Sequence, residues 1–305
     1  MSPDEFALAL RVLEAPLFLD DRGTVTVLGV EFTATTSDGK SVLVTQLSPA
    51  LNGSVTEPDA FVRTLGRHGY QGAGITESGQ LYFLELPPQG TSLAQRLAAT
   101  GPMQATEITA IARGVLDALT SLAVRDEVHG MVTPQTVYLS APGAVSLRWP
   151  GLVPALRAAG VDAVAIAREL DITAYVAPEI RKGADLDTAA DVFALGVTLY
   201  AALTGRPPFG GRTTATMMAV VLADSGAPVT TVAGTLTTAL LRAIEVNPAD
   251  RWRDLQQFRD ALGLEAKTTP VTSRQRAVAR RGCLVVVAVL GSGGLVLWAV
   301  ARYIS

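Results

Sequence analysis

The stretch from Leu186 to Phe209, LDTAADVFALGVTLYAALTGRPPF, places apolar residues on every side of a helix. A helix without a polar stripe belongs inside a domain, with other elements packed all round it. Asp187 or Thr188 suits its start, because a short side-chain oxygen can accept from the free amides of the first turn. Thr204-Gly205 provides the exit, and Pro207-Pro208 cannot continue the helix. The lone interior charge, Asp191, needs hydrogen-bond donors once buried. Upstream the period changes. Thr24 to Leu47 alternates as strands do, with a hairpin turn at Ser37-Asp38-Gly39. Thr106 to Arg125 returns to helical spacing through Ile108, Ile111, Val115, Leu116, Leu119 and Leu122. Ser2-Pro3-Asp4-Glu5 reads as a capped start of a helix over Pro3 to Ala15, not as a signal peptide.

The longest apolar run is Gly282 to Ala301, GCLVVVAVLGSGGLVLWAVA, which carries no charge. As a helix it reaches ~30 Å, the thickness of a bilayer's hydrocarbon core. Arg274, Arg276, Arg280 and Arg281 precede it and Arg302 alone follows. The positive-inside rule then puts the long N-terminal portion in the cytoplasm and the short tail outside, at an inner or plasma membrane. Gly291, Ser292, Gly293 and Gly294 form a smooth mid-span patch, and Ala288 with Ser292 has small-x-x-x-small spacing. Such patches let a partner helix approach closely in lipid.

Composition narrows the function classes. The chain has 305 residues, 49% hydrophobic, with 25 basic and 28 acidic side chains and a formal charge of -3. That length suits two lobes or a domain with an appendage, and the small charge gives no footprint for nucleic acid. The single cysteine, Cys283, excludes an intramolecular disulfide and a cysteine-based zinc site. Two histidines, His68 and His129, are too few for a histidine metal cluster.

The wording of the buried helix closely resembles the central helix of the large lobe of serine/threonine protein kinases, D-x-x-S-D-(I/V)-(F/Y)-S-L-G-V-x-L-Y-x-L-L-T-G-x-P-P-F. Other stretches fall in the same order. GKSVLVTQL at Gly39 to Leu47 resembles the third kinase strand, with Thr45 where the phosphate-holding lysine stands. The glycine-rich loop before it keeps only Gly29. Asp59 to His68 resembles the helix that offers that lysine a glutamate, with Arg63 or Thr64 at the position. Gly79 to Leu86 resembles the strand entering the hinge, Pro87 to Gly90 the hinge, and Ser92 to Ala99 the next helix.

His129-Gly-Met-Val-Thr-Pro-Gln-Thr136 lies beside the family's H-R-D-L-K-P-x-N. Met131 stands for the catalytic aspartate, Thr133 for the lysine and Thr136 for the metal-binding asparagine. Trp149 stands for the magnesium aspartate of D-F-G and Pro150 for its phenylalanine; Gly151 remains. Phosphoryl transfer depends on positioned charge, above all the lysine, the magnesium and its acids. The resemblance therefore implies a degenerate member, a pseudokinase that is not an enzyme and takes no cofactor or metal. Asp162, Glu169 and Asp171 in the following segment have no spacing that restores a metal site.

The resemblance also implies retained structural residues. Thr173 to Glu179 resembles the end of an activation segment, and Asn247 to Arg251 the D-P-x-x-R whose arginine pairs with that glutamate, here Glu179 with Arg251. Asp191 would brace the backbone near a structural His129. Thr188 to Leu203, Thr214 to Asp224, Thr235 to Ile244 and Asp254 to Leu262 would supply the large lobe's helices. The fold expected is α+β and bilobal, with one C-terminal transmembrane helix. A small lobe spans residues 1–90, a large lobe 91–264, a basic linker 265–281, the span 282–301 and an external tail 302–305. The function expected is a membrane-anchored scaffold or structural subunit. Its partners would be integral membrane proteins met through the span, with a cytoplasmic protein as a second candidate and no nucleic acid. The alternatives are a nucleotide-binding regulator without turnover and an unconventional protein kinase.

Overall fold

A computed structural model describes residues 18–19, 23–36, 39–76, 78–140, 143–208 and 231–264. The helix expected at 3–15, the helix expected at 214–224 and the span at 282–301 lie outside them. Among the described residues no helix is long and apolar enough to cross a membrane.

The small lobe is built on an antiparallel sheet. Its strands are β1 (Phe18–Leu19), β2 (Thr24–Thr26), β3 (Gly29–Thr35), β4 (Ser41–Leu47), β5 (Gly72–Ile75) and β6 (Leu81–Glu85), in the order β1-β3-β4-β6-β5 with β2 paired to β3. Two helices interrupt it, α1 (Pro49–Gly53) and α2 (Pro58–Leu65). The register sets Glu31 opposite Thr45, Leu43 opposite Glu85 and Thr45 opposite Phe83. Cross-strand partners share a face, and so do alternate residues along a strand. Glu31, Leu43, Thr45, Phe83 and Glu85 thus line one face of the sheet.

Pro87 and Pro88 leave the sheet toward Gly90, whose φ of +90° suits glycine, as does the carbonyl of Leu139 only 2.1 Å from where a Cβ would sit. A second sheet joins β7 (Thr91–Ser92), β8 (Val137–Ser140) and β9 (Ala144–Leu147) in that order. Ser92 caps α3 (Leu93–Thr100) through a capping box with Gln95. Then follow α4 (Ala105–Ala123), α5 (Leu152–Ala158), α6 (Ala163–Glu169), α7 (Pro178–Arg181), α8 (Thr188–Thr204), α9 (Thr231–Ala243) and α10 (Leu255–Ala261).

Helix α8 is the axis of the large lobe, and thirteen of its residues are buried. Asp187 caps it by accepting the Ala190 amide at 2.9 Å, and Gly205 ends it at φ +80°. At Gly196 it runs so close to α9 that a Cβ would lie 2.8 Å from that of Ala243. One apolar cluster joins α3, α4, α8, α9 and α10. A second runs from Leu47, Phe61 and Phe83 of the small lobe to Met131, Trp149 and Ile166 of the large lobe, so the lobes share a core. Backbone bonds reinforce that junction, with the amides of Thr56 and Glu57 donating to Ala159 O at 2.9 and 3.1 Å.

Candidate active site

The loop between α4 and β8 corresponds in order to the catalytic loop of the resemblance, and bonds to its backbone shape it. Asp191 of α8 accepts the amides of His129 and Gly130, each at 2.8 Å. Burial pushes its carboxyl up to about 6, against those two amides. His129 is sealed from water. Its Nδ1 accepts the Met131 amide at 3.2 Å, which leaves the proton on Nε2 to donate to Arg148 O at 3.0 Å. Burial holds this ring down at about 4, so it is a neutral imidazole whose two nitrogens bind the loop to the end of β9. Thr136 closes the turn: its hydroxyl accepts the Thr133 amide at 2.9 Å and donates to Met131 O at 2.8 Å. Thr198 of α8 donates to Val132 O at 2.9 Å.

Met131 and Trp149 are buried in the shared apolar cluster. Trp149 takes φ +64°, a left-handed conformation costly for a bulky side chain. It thereby turns its indole N–H to Glu85 Oε1 at 2.8 Å. Beside it, Arg148 reaches up to the small-lobe sheet. Its Nε and Nη2 donate to Glu85 Oε1 at 3.0 and 2.6 Å, and Nη2 also donates to Glu31 Oε2. The guanidinium stacks 4.5 Å from the indole centroid and is 8% exposed, between carboxylates that are 16% and 12% exposed. Burial, helped by the charge of Glu31, pushes the Glu85 carboxyl up, against the pull of Arg148 and Trp149. Burial also works against the charge on Arg148, but Glu85 and Glu31 together outweigh it and hold the guanidinium charged.

Three buried polar atoms near this cluster have no hydrogen-bond partner among the described residues: Thr45 Oγ1, Tyr70 Oη and His68 Nδ1. His68 Nδ1 lies 3.4 Å from Glu127 without forming a hydrogen bond. A cavity of about 170 Å³ adjoins the last two of these three atoms, walled by His68, Tyr70, Glu85, Leu86, Arg148 and Trp149. Neither Thr45 nor any residue of β2 to β4 lines it.

The remaining acids serve locally. Asp162 caps α6 through the amides of Val164 and Ala165, Glu169 pairs with Arg168, and Asp171 is exposed. Among the described residues no group of histidine, cysteine and acidic side chains is set to hold a metal ion. Arg63, where the ion-pair glutamate was sought, is exposed on α2, with Thr64 half-buried beside it. Far from the cleft, Glu179 and Arg251 meet in a two-pronged ion pair.

The Glu31–Arg148–Glu85 cluster was not foreseen from the sequence. The available signal was an arginine set directly beside a tryptophan, with one glutamate in each of two apolar strands; charges drawn into a core have to find one another.

With that arrangement in view, residues 73–256 match the protein kinase domain family, more than half of the chain. The chain belongs to the protein kinase family. Its relatives include serine/threonine-protein kinase PknL of Mycobacterium tuberculosis, 32% identical over 171 residues, covering 54% of this chain and 42% of the relative. Serine/threonine-protein kinase PknB of the same species is 25% identical over 196 residues, covering 63% and 31%. PknB of Mycobacterium leprae is 25% identical over 220 residues, covering 70% and 35%. The chain thus spans less than half the length of these curated relatives.

These matches correct one expectation. The replacements at Thr45, Met131, Thr133, Thr136 and Trp149 led to the expectation of a chain that is not an enzyme, whereas a protein kinase domain with serine/threonine-protein kinases as relatives points to a kinase enzyme. The family match begins at Ala73, within β5, so Glu31 and Thr45 precede it.

Proposed function

We propose that this kinase-family protein acts as a protein-binding scaffold at the cytoplasmic face of a membrane, held there by a span at 282–301. The small-residue patch at Ala288, Gly291, Ser292 and Gly294 would seat a neighbouring membrane helix, and the kinase-like lobes would present the cytoplasmic surface. The observation that carries the reading is an ion pair laid across the cleft. Arg148 bridges Glu31 and Glu85 of the small-lobe sheet, and Trp149 donates to the same glutamate. The chain's own side chains thus cross the cleft between the lobes, beside the cavity of about 170 Å³. The hinge supports this, because Pro87 and Pro88 have no backbone N–H to offer a ligand.

The family match favours a second reading, an unconventional protein kinase. That activity requires Arg148 and Trp149 to leave the cleft before nucleotide enters. Two measurements on the full chain in mild detergent separate the readings. The scaffold reading expects defined proteins to co-purify at fixed stoichiometry, and no thermal shift with magnesium-ATP. A shift growing with nucleotide concentration, together with radiolabel transfer from ATP to a protein, would replace it with the second.

A further inference from the structure

The slot between Glu31 and Glu85 is built for one chemistry. Both carboxylates stand on the same sheet face, and both are largely buried. Between them lies a flat cation whose N–H groups point to each side, with the indole of Trp149 stacked along it. A planar fork of donors fits such a site, whereas a compact ammonium does not.

The resident occupant is held at some cost to its surroundings. Trp149, its neighbour in the chain, sits in a left-handed conformation that only glycine adopts freely. Thr45, fully buried opposite Glu31 on the same sheet face, has a hydroxyl with no partner among the described residues. The Tyr70 hydroxyl beside Glu85 is likewise unpaired. Buried polar groups are almost always satisfied, so these two hydroxyls are free to bond to a rearranged neighbour. The adjoining cavity of about 170 Å³ gives the Arg148 side chain room to swing aside.

We propose that the Glu31–Glu85 slot is a guanidinium-binding site with Arg148 as its tethered occupant, and that an arginine presented by a bound protein takes its place. The inference builds on the scaffold reading and names the chemistry by which that partner is recognised. Glu31 and Glu85 belong to the small lobe and Arg148 to the large lobe, so the exchange also undoes an ion pair that ties the lobes together. A free cation competes poorly with a tethered one. An arginine on a docked partner does not suffer that handicap, because its effective concentration is high as well.

Emptying the slot tests the chemistry. In the full chain in mild detergent, Arg148→Ala leaves two carboxylates without their cation. Methylguanidinium at about 10 mM, the range of a tethered group's effective concentration, should then raise its thermal midpoint. The rise should be about threefold larger than with methylammonium at the same ionic strength, because only the planar cation makes the forked contact. Wild type, with its slot filled, should show no such preference. Equal responses to the two cations overturn the proposal.

A second measurement does not depend on the alanine variant folding. Arg148→Lys, which leaves a compact ammonium in the slot, is given a triarginine or a trilysine peptide, and amide hydrogen exchange is followed across residues 147–152. Faster exchange with triarginine alone supports displacement of the tethered cation, and the same result with both peptides or with neither overturns it. Because both probes are free molecules, failure here is distinct from failure to co-purify a partner.

Discussion

Arg251 grips Glu179 with both prongs of its guanidinium, Nη1 to Oε1 at 2.6 Å and Nη2 to Oε2 at 2.7 Å. The arginine side chain is wholly buried, and it also donates to the carbonyls of Glu245, Ala189 and Val246. It lies 4.8 Å from the Phe193 ring of α8, so one side chain ties the start of α7 to the axis of the lobe. Removing one member of a buried pair strands the other's charge, at a cost of about 3–5 kcal/mol. Glu179→Ala should therefore lower the thermal midpoint by roughly 10 °C, given about 2–4 °C per kcal/mol in a domain of this size. Arg251→Lys should also destabilise, because a single ammonium cannot replace the fork. A midpoint unchanged in either variant would show that the pair contributes little.

The pair Asp191 and His129 gives a pH signature. Asp191 titrates at about 6 in the fold, raised by burial from 3.8. Between those values the folded chain holds a proton that the unfolded chain has lost, so stability falls as pH rises. His129 titrates at about 4, lowered by burial from 6.5. Over that interval the unfolded chain holds the extra proton, so stability rises with pH. Each slope is at most about 1.4 kcal/mol per pH unit, and the two oppose one another. Removing one partner should expose the other. Across about pH 4.5 to 6, His129→Asn should lose stability as pH rises and Asp191→Asn should gain it. Midpoints measured over that range check the signs; matching slopes in the two variants would refute the assignment.

Thr45 is fully buried, and its hydroxyl has no hydrogen-bond partner among the described residues. Valine has nearly the same shape without the polar atom. Thr45→Val should raise stability by about 1 kcal/mol, since an unsatisfied buried hydroxyl costs ~1–3 kcal/mol. A loss of stability on thermal denaturation would mean that the hydroxyl is satisfied.

Gly151 turns the chain between Trp149 and α5 at φ +75°, and a Cβ there would come 2.2 Å from the His68 ring. Gly151→Ala should cost about 2–4 kcal/mol, the sum of left-handed strain and overpacking. A midpoint within about 2 °C of wild type, less than 1 kcal/mol, would contradict it.

Local pattern and long-range pairing differed sharply in how readable they were. Helix α8 could be read from the chain because every one of its faces is apolar, and its cap at Asp187 follows from helix chemistry. Strand alternation likewise marked β3 and β4. Helix α5 was not among the expected helices: Pro154 lies within it, yet that proline sits in the first turn, where its missing N–H costs nothing. The cluster around Arg148 was least legible. Its partners lie 117 and 63 residues away in sequence, and a glutamate in a strand ordinarily faces water. The replaced residues Met131 and Trp149 were seen as lost chemistry, whereas in the fold they are members of the core that joins the lobes.

The two consecutive prolines between the sheets, Pro87 and Pro88, have their φ angles locked by their rings. They act as a short rod projecting from the small lobe. A change in the angle between the lobes then finds the φ rotations of this connection locked at both prolines and free at Gln89, while Gly90 is held against Leu139.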